Sequence, residues 1–216
     1  MTAPRSSTAQ KSGSARPAPR SRIQKRNRQI ILEAALEVFS THGFRGATLD
    51  QIATEAGLSK PNLLYYFNSK EDIHRELLTQ LLDNWLAPLR LLDPEGDPRT
   101  EIMGYMRRKL QMSRDFPRES RLFANEILQG APRIEGFIRN DLRTLVDETA
   151  IMLQRWIDQG RIASVDPYHL IFSIWALTQH YADFAAQIAL IRGAGHEPHD
   201  GAEAFLEHLY SRLLAP

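Results

Sequence analysis

Residues 48–70 read TLDQIATEAGLSKPNLLYYFNSK, and this stretch predicts two short helices joined by a tight turn. Thr48 is a suitable N-cap for the first helix, whose apolar residues are spaced for one helix face. Gly57 provides the backbone freedom that a sharp corner between two helices requires. Ser59 can cap the second helix, and Pro61 lies in its first turn, where a missing N–H costs little.

The second of these helices, about residues 60–67, carries polar and aromatic side chains that suit contact with DNA. Two short helices around a tight turn are typical of a helix-turn-helix, whose second helix lies in the major groove of DNA. Side chains there reach phosphates or base edges. For Thr48 the alternative is a helix cap alone, and for the tyrosines it is packing in a small core. We therefore expect DNA contacts from the following residues: Arg45, Thr48, Lys60, Pro61, Asn62, Tyr65 and Tyr66.

The composition is that of an ordinary globular protein. The chain has 216 residues, of which 43% are hydrophobic and 25% are charged. It contains no cysteine, which excludes disulfides and thiolate metal sites. No apolar run approaches the ~20 residues of a membrane span, and the first 28 residues lack the apolar core of a secretion signal. We therefore expect a cytoplasmic protein with no membrane partner.

The charge distribution is uneven. Residues 1–28 contain eight basic residues and no acidic residue, so the rest of the chain carries a net charge of −7 against an overall +1. A basic end on an acidic body favours a polyanion partner at that end, although a solvated tail is the alternative. Residues 1–20 are rich in Ser, Pro, Ala and Arg, which predicts a disordered basic tail.

The remainder of the chain predicts an all-α fold. Apolar residues recur at helical spacing in about nine segments, and no segment shows the strict alternation of a strand. We expect a helix-turn-helix DNA-binding domain at residues 21–68 and a helical body at 69–216. The helix that opens at Ser69 is expected to pack against both parts, because it begins at their boundary.

A second informative stretch is WALTQHYADF at residues 175–184. Trp175, Gln179 and Asp183 are four residues apart and share one helix face, with Thr178 as a neighbour. A tryptophan offers a flat stacking surface, and a glutamine amide offers one acceptor and two donors. This pairing suits a small planar heterocycle with an amide edge, such as a pyrimidine. The alternative is structural, with the polar groups satisfying one another in the core.

No catalytic constellation is present in the sequence. There is no glycine-rich phosphate loop, no Gly-x-Ser-x-Gly elbow and no His-Glu-x-x-His metal helix, and the seven histidines are scattered. We therefore predict no catalytic residues, no metal site, no cofactor and no enzymatic activity.

The motifs of the amino-terminal quarter resemble the TetR family of transcriptional repressors. The resemblance implies a homodimer on palindromic operator DNA, with residues 69–216 forming the ligand-binding and dimerisation domain. It also implies Lys70 as a contact to the DNA backbone, while Leu64 departs from the tyrosine of many members. The motifs are Glu33-Ala34-Ala35, Phe39, Gly43-Phe44, Thr48, Ile52-Ala53, Ala56-Gly57-Leu58-Ser59, Tyr65-Tyr66-Phe67 and Ser69-Lys70-Glu71.

By the same resemblance, the dimer contact comes from the last two long helices, about residues 166–191 and 199–214. Their apolar positions fit this role. These positions include Phe205, Leu206, Leu209, Leu213 and Leu214.

Further motifs are similar to the pyrimidine-utilisation regulators of that family. They are Trp85–Leu89, Ser113–Asp115, Ser120–Phe123, His169–Phe172 and the 175–184 stretch. The similarity implies uracil or thymine as effector and Trp85, Trp175 and Gln179 as pocket residues, to which we add Phe123 and Asp183. Two alternatives remain: a family member that senses another small molecule, and a helical module whose basic tail binds RNA or a membrane.

Overall fold

The computed structural model describes residues 19–216, which are helices and connecting turns without a strand. A π-helical turn, Ile138–Leu142, joins two of the helices into one continuous stretch. The helices are α1 (Pro19–Gly46), α2 (Leu49–Glu55), α3 (Lys60–Tyr66), α4 (Lys70–Arg90), α5 (Pro98–Asp115), α6 (Pro117–Leu128), α7 (Glu135–Phe137), α8 (Arg143–Asp158), α9 (Pro167–Asp183), α10 (Ala185–Arg192) and α11 (Ala202–Leu213).

The all-α prediction is confirmed for the described part of the chain, but the predicted count of nine helices is one too low. There are ten helices when α7, the π-helical turn and α8 are counted as one. The additional helix arises because Phe184 (φ −111°, ψ 24°) is not helical and separates α9 from α10, which were predicted as one helix. The predicted disordered tail, residues 1–20, lies outside the described residues except for Pro19 and Arg20, which belong to α1. No helix within 19–216 is long and apolar enough to cross a bilayer.

The helix-turn-helix is built from local hydrogen bonds, as its sequence predicts. The Thr48 hydroxyl accepts the Gln51 N–H at 3.2 Å while the Gln51 side chain accepts the Thr48 N–H at 2.8 Å, which forms a capping box for α2. Gly57 adopts φ 65°, a left-handed conformation that disfavours any side chain. Ser59 caps α3 with its hydroxyl. The predicted caps are therefore confirmed.

Two clusters of buried side chains form the interior. The first joins α1, α2 and α3 to most of α4 and to Leu122 of α6. The second joins α5, α8, α9 and α11, with Trp156 and Tyr210 fully buried. Helix α4 contributes to both, since Leu78 lies in the first cluster and Leu89 in the second. The expectation that this helix packs against both parts of the protein is confirmed.

The turn between α1 and α2 is held from two directions. The Lys70 ammonium donates to the carbonyls of Phe44 and Ala47, each at 2.7 Å. The guanidinium of Arg133, in the loop after α6, lies 3.4 Å from the centre of the Phe44 ring. Arg133 also forms an ion pair at 2.8 Å with Glu126, whose side chain is completely buried. We call Phe44, Lys70, Glu126 and Arg133 the Phe44 junction.

The loop that brings Arg133 to this junction has an uncommon backbone. Gly130 (φ 88°) and Ala131 (φ 56°) both have left-handed conformations, which costs an alanine about 1 kcal/mol. The turn lets the Ala131 N–H donate to the Glu126 carbonyl at 2.9 Å and the Arg133 N–H donate to the Glu126 carboxylate at 2.7 Å. The buried ion pair and these hydrogen bonds offset the cost of the turn.

Candidate functional site

Most of the side chains predicted to contact DNA lie on the surface of the helix-turn-helix. The exceptions are Tyr66 and Lys70, which are half-buried. The Lys70 ammonium uses two of its three N–H groups for hydrogen bonds to the carbonyls of Phe44 and Ala47. The exposed residues are Arg45, Thr48, Lys60, Pro61, Asn62 and Tyr65.

Lys60 has an acidic partner in the free protein. Its ammonium lies 2.9 Å from the Asp50 carboxylate of α2, and both side chains are largely exposed to solvent. An exposed ion pair of this kind contributes only about 0.2–1 kcal/mol. The lysine can therefore exchange Asp50 for a phosphate at little cost.

The two tyrosines of α3 are braced by α1. The Asn27 amide donates to the Tyr66 hydroxyl at 2.8 Å, whereas Gln24 donates to the Tyr65 hydroxyl at 3.4 Å. The Tyr65 side chain remains 70% exposed. Arg28 donates to the Tyr66 carbonyl at 2.8 Å and forms an ion pair with Glu76 of α4. The end of α3 is therefore held against α1, while Tyr65 stays available at the surface.

A cavity lies among α4, α5, α6 and α9, with a free volume of about 40 Å³. Four of the six residues predicted to bind a ligand line it: Trp85, Phe123, Trp175 and Gln179. Its remaining walls are Leu81, Leu82, Leu86, Lys109 and Leu142.

The aromatic walls of this cavity are fixed by their own contacts. The rings of Trp85 and Phe123 lie 6.5 Å apart, tilted by 32°. The Trp175 indole N–H donates to the Tyr105 hydroxyl at 2.6 Å. The indole N–H of Trp175 is therefore already bonded, and the residue contributes to the cavity as an aromatic wall.

Lys109 of α5 is a polar wall residue that the sequence analysis missed. Its side chain is only 4% exposed, and its ammonium lies 4.2 Å from the centre of the Trp85 ring. Burial lowers the pKa of Lys109 to about 7, and the negative charge of Asp183 works against that shift. The sequence does contain a sign that Lys109 is buried. The residue lies at helical spacing from Ile102 and Met106, which places it on the apolar side of α5.

Asp183 lies beside the cavity rather than in it. It lines a neighbouring open hollow of about 440 Å³ between α6 and the end of α9, which shares Phe123 and Gln179 with the cavity. The Ser120 hydroxyl donates to Asp183 at 2.5 Å. Burial raises the pKa of Asp183, and the bond from Ser120 opposes the shift. Asp183 therefore borders the hollow next to the cavity, and its role in ligand binding stays a prediction.

Thr178 is not a wall residue of either space. It is fully buried, and its hydroxyl donates to the Ile174 carbonyl of its own helix at 2.7 Å. Thr178 follows Trp175 by three residues and precedes Gln179 by one, and at this helical position its side chain faces the core of the body rather than the cavity.

Comparison with known proteins agrees with this arrangement. Residues 31–77 match the family described as bacterial regulatory proteins, tetR family, and residues 78–216 match the YcdC-like protein, C-terminal region. The chain is 49% identical over 175 residues to the HTH-type transcriptional regulator RutR of Escherichia coli (strain K12), which covers 81% of this chain and 82% of that protein.

Solved structures share the fold at lower sequence identity. The ketosteroid transcriptional regulator KstR2 of Mycobacterium tuberculosis has a TM-score of 0.68 at 20% identity, covering 88% of this chain and 95% of that one. AibR, solved in complex with isovaleryl coenzyme A and operator DNA, has a TM-score of 0.67 at 18% identity, covering 88% and 99%. The matched relatives are transcriptional regulators rather than enzymes. The chain belongs to the TetR family of transcriptional regulators.

Proposed function

We propose that this regulator is a repressor of pyrimidine-utilisation genes that binds palindromic operator DNA as a homodimer and is released by uracil or thymine. The observation that carries the proposal is the cavity, which is lined by two tryptophans, a phenylalanine and two polar side chains, those of Lys109 and Gln179. The similarity of the 175–184 stretch to pyrimidine-utilisation regulators and the likeness to RutR support the same effector.

The size and chemistry of the cavity favour a single small ring. A water needs roughly 10–15 Å³ of this free volume, so about 40 Å³ holds about three waters, and a one-ring molecule fits only after the wall side chains move outward. The flat faces of Trp85 and Trp175 can stack on a pyrimidine. The Gln179 amide can pair with the N–H and one carbonyl of its imide edge.

The DNA contacts are assigned to the exposed face of the helix-turn-helix. Lys60, Asn62 and Tyr65 of α3 can reach phosphates and base edges, and Thr48 and Arg45 flank the motif. The third N–H of Lys70 can extend to a phosphate, because only two are used at the Phe44 junction. AibR, which shares the fold, was solved with operator DNA.

The dimer is assigned to the apolar faces of α9 and α11. These helices are adjacent, because the hydroxyl of Ser173 on α9 forms a hydrogen bond of 3.0 Å with the hydroxyl of Tyr210 on α11. Of the positions expected from the sequence, Leu206 and Leu214 are fully buried within the protomer and so are not available to a partner. The exposed large apolar side chains of the two helices are Tyr168, Phe172, Phe205 and Leu213.

Release from the operator requires a connection between the cavity and helix α3. We call α3 of each protomer the reading helix, because it is the helix expected to enter the major groove. Helix α4 carries Trp85 at the cavity and Lys70 at the Phe44 junction. Helix α6 carries Phe123 and lies along α1, where Arg118 forms ion pairs with Glu33 and Glu37. We infer that the effector favours a state in which the two reading helices no longer match successive major grooves, with a coupling free energy of about 1–3 kcal/mol.

Uracil should therefore release the regulator from its operator. A footprint on the upstream DNA of pyrimidine-utilisation genes should show a protected inverted repeat that is lost when uracil or thymine is added, but not with an unrelated planar compound. A footprint that persists with uracil and disappears with another small molecule would reassign the effector within the same family.

Replacing Gln179 by alanine should weaken uracil binding about tenfold to hundredfold, because the imide edge of the ligand loses its hydrogen-bond partner. Operator affinity without effector should remain within about twofold of the wild-type value, because Gln179 makes no contribution to the reading helices. Calorimetry with uracil and a gel-shift titration of operator DNA measure the two quantities.

Gln187, an exposed glutamine of α10, provides the matched control. Its replacement by alanine should change neither quantity. If Gln179→Ala lost operator binding and kept its affinity for uracil, the assignment of Gln179 to the effector site would be reversed.

Replacing Lys60 by alanine should weaken operator binding and reduce its dependence on salt. Each phosphate contact contributes about 0.9 to the steepness of the plot of log affinity against log salt concentration. Losing one contact in each of the two protomers should therefore reduce that steepness by about 1.8. Arg155→Ala, an exposed cation of α8, should leave the slope unchanged. Titrations at several salt concentrations measure the slope, and an unaltered value in Lys60→Ala would remove this residue from the phosphate contacts.

A further inference from the structure

Lys109 is a buried lysine in the cavity wall that has no direct hydrogen bond or ion pair to the described residues, although the negative charge of Asp183 acts on it from farther away. Lys109 is 4% exposed, and within residues 19–216 its ammonium makes neither a hydrogen bond nor an ion pair. An ammonium removed from water costs several kcal/mol unless acceptors replace the water. The Trp85 ring at 4.2 Å compensates only in part, because a cation–π contact is worth about 0.5–2 kcal/mol.

The cavity walls around Lys109 are mostly apolar, and Gln179 is the other wall residue with a hydrogen-bonding side-chain amide. Helix α4 contributes Trp85 and leucines, α6 contributes Phe123, and the π-helical turn contributes Leu142. On its own helix, Tyr105 accepts the Trp175 N–H. Helix α9 contributes the amide of Gln179 and, beyond it, the carboxylate of Asp183, which accepts the Ser120 hydroxyl.

We propose that the Lys109 ammonium donates a hydrogen bond to a ring carbonyl oxygen of the effector, and that the effector is bound together with a proton. The inference rests on the proposed function of the cavity and adds the second recognition group to it. Gln179 would pair with the N–H and one carbonyl of an imide edge, and Lys109 with the other carbonyl, so that both ring oxygens are satisfied.

Proton uptake follows from the state of the empty cavity. Because burial lowers the pKa of Lys109 to about 7, amine and ammonium forms coexist near neutral pH. A carbonyl oxygen stabilises the ammonium, so the pKa of Lys109 rises when the effector binds. Uracil affinity should then be constant below about pH 6 and fall as the pH rises above about 7, by at most tenfold per pH unit.

The test compares the wild type with Lys109→Met, which keeps the length and packing of the side chain but removes its charge. Calorimetry with uracil between about pH 6 and 8.5, in two buffers of different ionisation enthalpy, gives the affinity and the number of protons taken up. The wild type should take up a proton, whereas Lys109→Met should bind about tenfold or more weakly near pH 6.5, without uptake and with a flat pH profile. Lys25→Met, at an exposed lysine of α1, should behave as the wild type.

A chemical cycle provides a second measurement that tests the contact itself. A thiocarbonyl accepts hydrogen bonds weakly, so the wild type should lose affinity for one of 2-thiouracil and 4-thiouracil more than for the other. In Lys109→Met the loss should disappear for the analogue whose sulfur replaces the oxygen facing Lys109, whereas the loss for the analogue whose sulfur faces Gln179 should remain.

Equal uracil affinity and equal pH profiles in the wild type and Lys109→Met would overturn this inference while leaving uracil as the effector. Failure of the wild type to bind uracil or thymine at any pH would overturn the proposed effector, and this inference with it.

Discussion

Replacing Glu126 by alanine is expected to lower the free energy of unfolding by about 3 kcal/mol. The Glu126 carboxylate is completely buried and accepts both the guanidinium and the backbone N–H of Arg133. Removing one member of a buried ion pair typically costs about 3–5 kcal/mol, because the other charge loses its partner. We expect the lower end of this range, since the Arg133 side chain is 20% exposed and can recover some hydration.

The chain offers a matched control in a second glutamate–arginine pair. Glu135 and Arg139 lie at 2.7 Å, four residues apart on the helix surface, with side chains 57% and 73% exposed. Glu135→Ala should cost no more than about 0.5 kcal/mol. Urea unfolding at one protomer concentration measures both variants, because the stability of a dimer depends on that concentration. Similar losses of unfolding free energy in the two variants would show that burial does not make the Glu126–Arg133 pair more stabilising than the exposed pair.

Replacing Phe172 by glutamate is expected to prevent dimer formation and to weaken operator binding by about 100-fold or more. Phe172 lies on the exposed side of α9 and is 46% exposed in the protomer. A charged group there would have to be desolvated in an apolar contact. A monomer engages one half-site, and losing the linkage between two binding modules typically removes a factor of about 10²–10⁴ in affinity. Light scattering and an operator titration measure the two effects.

Phe116 provides the control for this substitution, because it is the same residue type with the same 46% exposure. It lies between α5 and α6 and belongs to neither α9 nor α11. Phe116→Glu should remain dimeric and bind the operator normally. A Phe172→Glu protein that stays dimeric would place the subunit contact on another face.

Much of the helix-turn-helix could be predicted from the sequence, because its determinants act over a few residues. The caps by Thr48 and Ser59 and the left-handed turn at Gly57 are local hydrogen bonds and local sterics, and all three were predicted. The family resemblance was equally accessible and is confirmed by the family matches.

The cavity was predictable only in part. Trp175 and Gln179 share a wall because four residues make about one helical turn, which is again a local property. Thr178 lies in the core and Asp183 borders the neighbouring hollow, since the packing of α5 and α6 against α9 decides which helix positions border the cavity. Lys109 was missed for the same reason, because a lysine becomes a buried cation only when other helices close over it.

The helix-turn-helix, its caps and the family could be predicted from the sequence alone, because hydrogen bonds and steric limits within a few residues decide these features. The burial of Lys109 against Trp85 and the position of Arg133 between Glu126 and Phe44 depend instead on the tertiary structure. Burial and pairing of this kind depend on helices distant along the chain, whose packing no local pattern encodes.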